Sequence, residues 1–460
     1  MKKTFTFTHG TEKRTVELEE GLLGVPLISP RPSAAAAVSA KDLLRKALGE
    51  PVGRPRLRDM AKGLAVAITV SDEFRAGQHA NIIDVLLEEL VPAKPASVTV
   101  LCCTGTHDPK IYTPKVRAWT EEASARHGLP VVFVAHQCDD PALVDVGTTS
   151  RGTELALEPA WLRADVRVSG HEAKHHYMAG YSSILKHIVP GIAARKTVEN
   201  NHKLALDDDS CAGQHPMHAD PARRRNPFSE DALEAMRMAE KVTLGPDGVL
   251  VDRPAHTFLL DMISDAQEVF WAKAGDPEEV TRGVLAAADE QAEFTVPKAR
   301  YVVLSPGGPP ASTALYGVQN SFDLALLGAI QQGGEALVFG PCNGRPGMDP
   351  DVKGLAPDRQ SKELFWDHLV RLKDAPLEQC YQEISDGFQL YLWKTWRVLR
   401  LFKRDRVRIW IHGELPAGLL AEGGFEHAPD PQAWVDEREA RGDGRFLAID
   451  GGNKLLVRPA

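Results

Sequence analysis

The sequence predicts an α/β fold with largely parallel sheets, and three observations carry that prediction. Short apolar segments, mostly rich in β-branched residues, recur along the chain. Helical stretches lie between them. The polar residues with chemical potential come directly after the apolar segments. Strands buried on both faces read as continuous apolar runs, and their alternation with helices builds a sheet covered on both sides. Ligands of such sheets bind at the carboxyl ends of the strands. At 460 residues the chain exceeds one ordinary core, so two α/β domains are expected, 1–290 and 297–460.

The elements follow in order. After Met1-Lys2-Lys3 comes an alternating Thr-Phe-Thr-Phe-Thr, a strand pattern and not the apolar core of a signal peptide. Leu64–Val70, Ser97–Cys103, Pro130–Ala135 and Ala164–Ser169 read as buried strands, with helices at Asn81–Leu90 and Pro114–His127. Asp207 to Phe228 is polar and holds Gly213, Pro216, Pro221 and Pro227, so it reads as a loop. Ser229 then caps a helix with Glu230 and Asp231 in its first turn. Asp289–Pro297 reads as a linker. A second unit starts at the strand Arg300–Leu304, which runs into a Pro-Gly-Gly-Pro-Pro loop, and continues with strands at Glu335–Phe339, Asp405–Ile411 and Arg445–Asp450.

Composition narrows the function. The chain is 43% hydrophobic and 25% charged, as soluble globular proteins are, with a formal charge of −9. No basic stripe is present for a phosphate backbone, so nucleic acid is not expected as a partner. No run of 18 apolar residues exists, so no membrane span is expected. The six cysteines show no C-x-x-C spacing and read as reduced thiols of a cytoplasmic protein, Cys102 and Cys103 as small hydrophobes inside a strand.

Seven of the 16 histidines (His171, His175, His176, His187, His202, His215, His218) fall between positions 171 and 218. Histidine is the common neutral-pH acid or base and the common nitrogen ligand for metals, so this density marks a working site. His171-Glu172-Ala173-Lys174-His175 matches H-E-x-x-H, the zinc-hydrolase pattern, which functions only on a helix, where both histidines share a face. The strand and Gly170 just before it make a poor helical context. Thr104-Gly105-Thr106-His107 follows a strand and offers hydroxyls and backbone N–H groups to a phosphate, or is a tight turn with an exposed histidine. Asp72 and Arg75 follow another strand. Arginine grips carboxylates bidentately, although that segment alone favours a helix-capping Asp72 with Arg75 as its surface partner. Lys186 sits among Leu185 and Ile188, where a lysine either acts as an attachment point or snorkels to solvent. Three strand ends thus feed one crevice.

Four motifs in order give the chain a resemblance to the nickel-dependent lactate racemase family, whose members racemise or epimerise 2-hydroxy acids. They are S-D-x-x-R (Ser71, Asp72, Arg75), G-T-H-x-P (Gly105, Thr106, His107, Pro109), H-x-x-A-G-Y-S…K…P-G (His176, Ala179, Gly180, Tyr181, Ser182, Lys186, Pro190, Gly191) and N-H (Asn201, His202), within a match from about residue 20 to 415. The resemblance implies a cofactor between two α/β domains, the nickel-pincer nucleotide (pyridinium-3,5-bisthiocarboxylic acid mononucleotide) with Ni(II), tethered at Lys186. It implies His202 as the protein ligand to nickel, and His107 and His176 as acid and base on opposite sides of the substrate. Asp72, Thr104, Gly105, Thr106, Tyr181 and Ser182 are implied around the cofactor, Arg75 at the substrate carboxylate, and maturation enzymes as partners that make the cofactor. The chemistry agrees: inverting a 2-hydroxy acid carbon requires moving a barely acidic hydrogen as hydride while a histidine takes the hydroxyl proton. A soft square-planar site suits Ni(II).

Two departures stand out. Ser183-Ile184 replaces the family's Gly-Gly. The glutamine and lysine that follow an L-Y pair in lactate racemases have no counterparts after Leu315-Tyr316, where Gly317 comes next and the lysine position aligns with Asn320. The carboxylate clamp for lactate is therefore expected to be incomplete and the substrate to be bulkier or more polar, read by Asn320, Gln319, His171 and Lys174. The alternative expectation is a zinc hydrolase using His171, Glu172 and His175.

Overall fold

A computed structural model describes residues 1–31, 38–73, 77–264, 268–342 and 359–460. It contains two main sheets, both dominated by parallel pairing. The first has six strands in the order Val269–Gly275, His256–Ser264, Val166–Glu172, Ala65–Ser71, Ser97–Cys103 and Val132–Ala135. All its pairs are parallel except Val269–Gly275 against His256–Ser264. The second has five parallel strands in the order Glu426–His427, Arg408–His412, Ile330–Phe339, Ala299–Leu304 and Phe446–Ile449. Val66, Ile68, Val70, Val98, Val100, Val166 and Val168 are all buried in the first sheet. Burial on both faces is why these strands carry no polar alternation. The strand at Val132–Ala135 is shorter than its apolar run and half-exposed, because it is the sheet's edge.

Two sequence expectations fail for local reasons. Asp289–Pro297 is not a linker. Asp276 accepts hydrogen bonds from Glu278 N and Glu279 N and Pro277 takes the first helical position, so the helix Pro277–Ala292 runs through Asp289 and passes directly into the strand Glu293–Val296. Ser229 does not cap its helix. Asn226 does, by accepting from Ser229 N, and Pro227 opens the helix Pro227–Glu240.

The opening hairpin, Lys2–His9 with Glu12–Glu19, packs on the five-stranded sheet. Phe5, Phe7, Val16 and Leu18 share a core with Tyr301, Val303, Leu337, Phe339 and Phe446. The bridges Leu23 to Phe446 and Ile28 to Ile449 extend that contact before the chain crosses to the other sheet. Among the described residues, no helix is long and apolar enough to cross a membrane.

Candidate active site

The strands Val166–Glu172, Ala65–Ser71 and Ser97–Cys103 are neighbours at the centre of the six-stranded sheet, so their carboxyl ends lie side by side. Asp72 leaves the middle strand, and its Oδ2 lies 2.6 Å from His107 Nδ1, in the turn after the adjacent strand. A carboxylate on Nδ1 fixes the ring and leaves Nε2 as the working nitrogen. In the same turn Gly105 adopts φ +56°, a left-handed conformation open to glycine, and its N–H donates to Gly191 O at 3.1 Å. Thr104 Oγ1 donates to His136 O at 2.7 Å, a buried structural bond, whereas Thr106 Oγ1 lies 3.1 Å from the Tyr391 hydroxyl. Arg75 lies outside the described residues.

The H-E-A-K-H segment is not helical. His171 and Glu172 end the strand Val166–Glu172, and Lys174–His176 forms a second strand paired with Gly180–Ser182. His171 Nδ1 meets Asp261 Oδ1 at 3.0 Å and its Nε2 meets Ser182 Oγ at 3.2 Å. His175 instead meets Asp289 at 2.9 Å. Glu172 accepts from Ser264 Oγ at 2.6 Å and from Gln78 N at 3.2 Å. The two histidines thus serve different partners and the glutamate is a structural cap. The zinc-hydrolase expectation has no support here: no helix forms, and the break after Glu172 puts His171 and His175 on strands of two different sheets.

A strand turns successive side chains to opposite faces, and that alternation builds the other half of the site. On one face of the hairpin, His175 and the Tyr181 hydroxyl (2.6 Å) both reach Asp289. Arg223 and His218 join them there at 2.9 and 3.1 Å. These partners hold the Asp289 carboxyl well below the usual carboxylate range despite its burial. The Tyr181 hydroxyl also accepts from Arg223 at 2.6 Å, so this side chain anchors the hairpin. On the other face His176 Nε2 lies 2.9 Å from Lys186 Nζ. The Met178 and Ala179 N–H groups aim at His176 Nδ1 from 3.4 and 3.3 Å, which leaves Nε2 to do chemistry. Lys186 stands on the short helix Leu185–Ile188.

His202 lies on the helix Arg195–Lys203, 4% exposed, its ring 4.9 Å from Phe228 and 5.2 Å from Trp393. Its Nδ1 is buried and has no hydrogen-bond partner among the described residues. Burial, and then the nearby Lys186 charge, push its pKa down to about 3. A neutral imidazole with an unclaimed nitrogen is the state a metal ligand requires. Its neighbour Asn201 is committed to Phe228 O and Asp231 at 3.1 and 2.8 Å.

The remaining predicted residues scatter. Lys174 is exposed and His171 is buried beneath the hairpin. Gln319 is buried and donates to Asp323 Oδ2 at 2.7 Å. Asn320 accepts from Lys394 Nζ at 2.7 Å. Sequence reasoning missed Asp289, which it placed in a linker, and the whole helix Leu392–Lys403. That helix reaches across to the six-stranded half: Trp396 Nε1 donates to Leu206 O at 3.1 Å, and Arg397 donates to the carbonyls of Tyr177, Ala205 and Ser210. The signals were present in the cap Asp276-Pro277 and in the Trp393-Lys394-Thr395-Trp396-Arg397 run.

Residues 9–213 match the family described as the lactate racemase N-terminal domain. The lactate racemase of Thermoanaerobacterium thermosaccharolyticum is 26% identical over 378 residues, 80% of this chain and 82% of that protein. The lactate racemase of Lactiplantibacillus plantarum is 27% identical over 195 residues, 42% of this chain and 45% of that protein. The fold matches the structure of the Thermoanaerobacterium lactate racemase apoprotein with a TM-score of 0.79 at 20% identity, covering 99% of this chain and 100% of that one. A Thermotoga maritima protein matches with a TM-score of 0.60 at 14% identity, over 91% and 98%. Residues 9–213 of this chain thus match the lactate racemase N-terminal domain family, and the chain shares the fold of the lactate racemase apoprotein along its length.

Proposed function

We propose that the protein is an isomerase that inverts the C2 stereocentre of a 2-hydroxy acid other than lactate, a bulkier or more polar one. It works in the cytoplasm with a nickel-pincer nucleotide tethered at Lys186 and made by separate maturation enzymes. One observation carries the reading: each of two histidines has a defined partner, His107 backed by Asp72 at 2.6 Å and His176 beside Lys186 at 2.9 Å. Two imidazoles are what a reaction reversible from either face requires.

The residues fit the cofactor. Lys186 offers an amine for the tether. His202 offers a buried neutral nitrogen to nickel. In the turn Thr104–His107, Thr106 is partly exposed, whereas the Thr104 and Ser182 hydroxyls are engaged by His136 O and His171. When bound, the nickel-pincer nucleotide supplies the hydride acceptor that no side chain here can provide. The protein's own groups do the rest. Arg75 grips the substrate carboxylate. His107 takes the hydroxyl proton of one enantiomer, with Asp72 stabilising the imidazolium. His176 does the same for the other, and each returns the proton when its hand of product forms. The two sheets divide the work, with residues 1–290 carrying attachment and acid/base groups and 297–460 contributing substrate contacts; the hairpin at the start goes with the second sheet.

Peptide mass spectrometry across Lys186 tests the reading, on protein from a host that has nickel and the maturation enzymes. A nucleotide-sized adduct on Lys186 in the wild type, lost in Lys186→Ala, is expected. An unmodified Lys186 in protein that is nonetheless an active racemase rules the tether out.

A further inference from the structure

The clamp that Asn320 leaves incomplete in sequence holds a cation in three dimensions. Lys394, on the helix Leu392–Lys403, is 2% exposed. Its Nζ donates to Tyr316 O at 2.8 Å and to Asn320 Oδ1 at 2.7 Å. It also stands 3.8 Å from the Tyr316 ring centroid and 5.1 Å from that of Tyr177. Ammonium groups are drawn to aromatic faces, and that attraction strengthens away from water. Desolvating a lysine is costly, and an anion placed against it in such a setting gains more than it would in solvent.

Residues around this ammonium reach the acid/base machinery. The Tyr177 ring stacks on His176 at 4.5 Å. The Trp393 ring lies 5.2 Å from His202, and its Nε1 donates to the Tyr177 hydroxyl at 3.4 Å. Tyr391 reaches Thr106, next to His107, at 3.1 Å. Tyr391 also adopts φ +81°, a left-handed conformation that costs a bulky residue strain and is kept where the surroundings demand it. The side chains around the ammonium, Tyr177, Tyr316 and Asn320, are only partly buried.

We propose that Lys394 binds the substrate carboxylate from the side of the five-stranded sheet, with Asn320 as the neutral group that the carboxylate displaces. This rests on the 2-hydroxy acid isomerase reading. Because the cation comes from a different helix than position 320, it fixes the acid in its own orientation and sets which acids fit.

The test uses cofactor-loaded protein, with calorimetric titration of lactate, malate and mandelate beside turnover of the same acids. Lactamide serves as the uncharged control. Lys394→Met should weaken binding of the preferred acid on the order of tenfold to hundredfold, the worth of a charge-assisted hydrogen bond, with the loss in KM more than in kcat. Lys394→Arg should recover part of it, and lactamide should not respond. Asn320→Asp is the sharper variant. It places a carboxylate against Lys394, so a lysine with only a structural role is better held and ligand binding is unaffected. A substrate-binding Lys394 is instead blocked, and affinity falls at least tenfold in a protein of undiminished stability. Equal affinity in wild type and Asn320→Asp overturns the inference while wild-type turnover upholds the isomerase reading. No binding of any of the three acids to the wild type overturns the inference as well. Racemisation of none of them, with binding intact and sensitive to both variants, leaves Lys394 as the carboxylate site and overturns the isomerase reading.

Discussion

Asp72 and His107 form a tight contact in the site, 2.6 Å, and their division of labour can be measured. A carboxylate on Nδ1 fixes the tautomer and stabilises the imidazolium that forms when Nε2 takes a proton. Asp72→Asn keeps the shape and removes the charge. We expect kcat of the loaded enzyme to fall by roughly 10²–10⁴-fold, with cofactor retention at Lys186 unchanged. Loss of the Lys186 adduct in this variant would instead make Asp72 a cofactor ligand. Glu172 gives the opposite expectation. Its oxygens are taken by Ser264 and the Gln78 N–H, so Glu172→Gln should leave turnover within about threefold of wild type, because the amide oxygen still accepts from Gln78 N and the amide NH2 can donate to the Ser264 hydroxyl. A collapse of activity would revive the hydrolytic role that the strand conformation argues against.

At the scale of elements, the hairpin Lys174–His176/Gly180–Ser182 sorts its histidines by face, and Gly180 sets the turn that makes this possible. Gly180 has φ +74°, and a Cβ there would lie 1.6 Å from Gln214 O. Gly180→Ala should cost at least the ~1–3 kcal/mol of a strained left-handed residue, plus displacement of the loop behind it. Thermal unfolding and His176-dependent turnover should both suffer; a fully active, equally stable variant would mean that the turn tolerates another conformation. The helix Leu392–Lys403 is the second decisive element. Arg397 satisfies carbonyls of Tyr177, Ala205 and Ser210 and pairs with the buried Asp323 at 3.3 Å. Arg397→Met strands all of these, which is about 3–5 kcal/mol in denaturant unfolding. A loss under about 1 kcal/mol would show that water replaces the guanidinium.

Over the whole molecule, the opening hairpin ties the chain's start to the five-stranded sheet, and pH reports on that tie. His9 packs 5.2 Å from the His412 ring and 6.1 Å from Phe339. Burial, then His412 and Arg14, lower its pKa to about 4; His412 is lowered too, chiefly by burial. A histidine held neutral in the folded state binds its proton first when unfolded. Its stabilising contribution is whole above about pH 6.5 and declines as pH falls toward 4. His9→Phe keeps a ring against Phe339 and removes that titration. Its melting temperature should therefore drop less than the wild type's between pH 7 and pH 5. An equal drop would assign the acid sensitivity to other groups.

Much of this architecture was legible in the amino-acid sequence. Ser97–Cys103 and Pro114–His127 match their predicted bounds, because apolar runs and a helix closed by Gly128 are local signals. The order of Asp72, His107, His176, Lys186 and His202 and the residues flanking them sufficed for the resemblance to lactate racemases. Composition and spacing are properties of the chain, and they determined the fold class. Only the tertiary structure decided which of seven clustered histidines face the crevice and which face Asp289, since a one-residue step in a strand reverses a side chain. It also decided that Asp72 belongs to His107, and that a lysine 74 positions beyond Asn320 delivers its charge to that place. Such contacts span neighbouring strands or opposite sheets, and no local pattern encodes them.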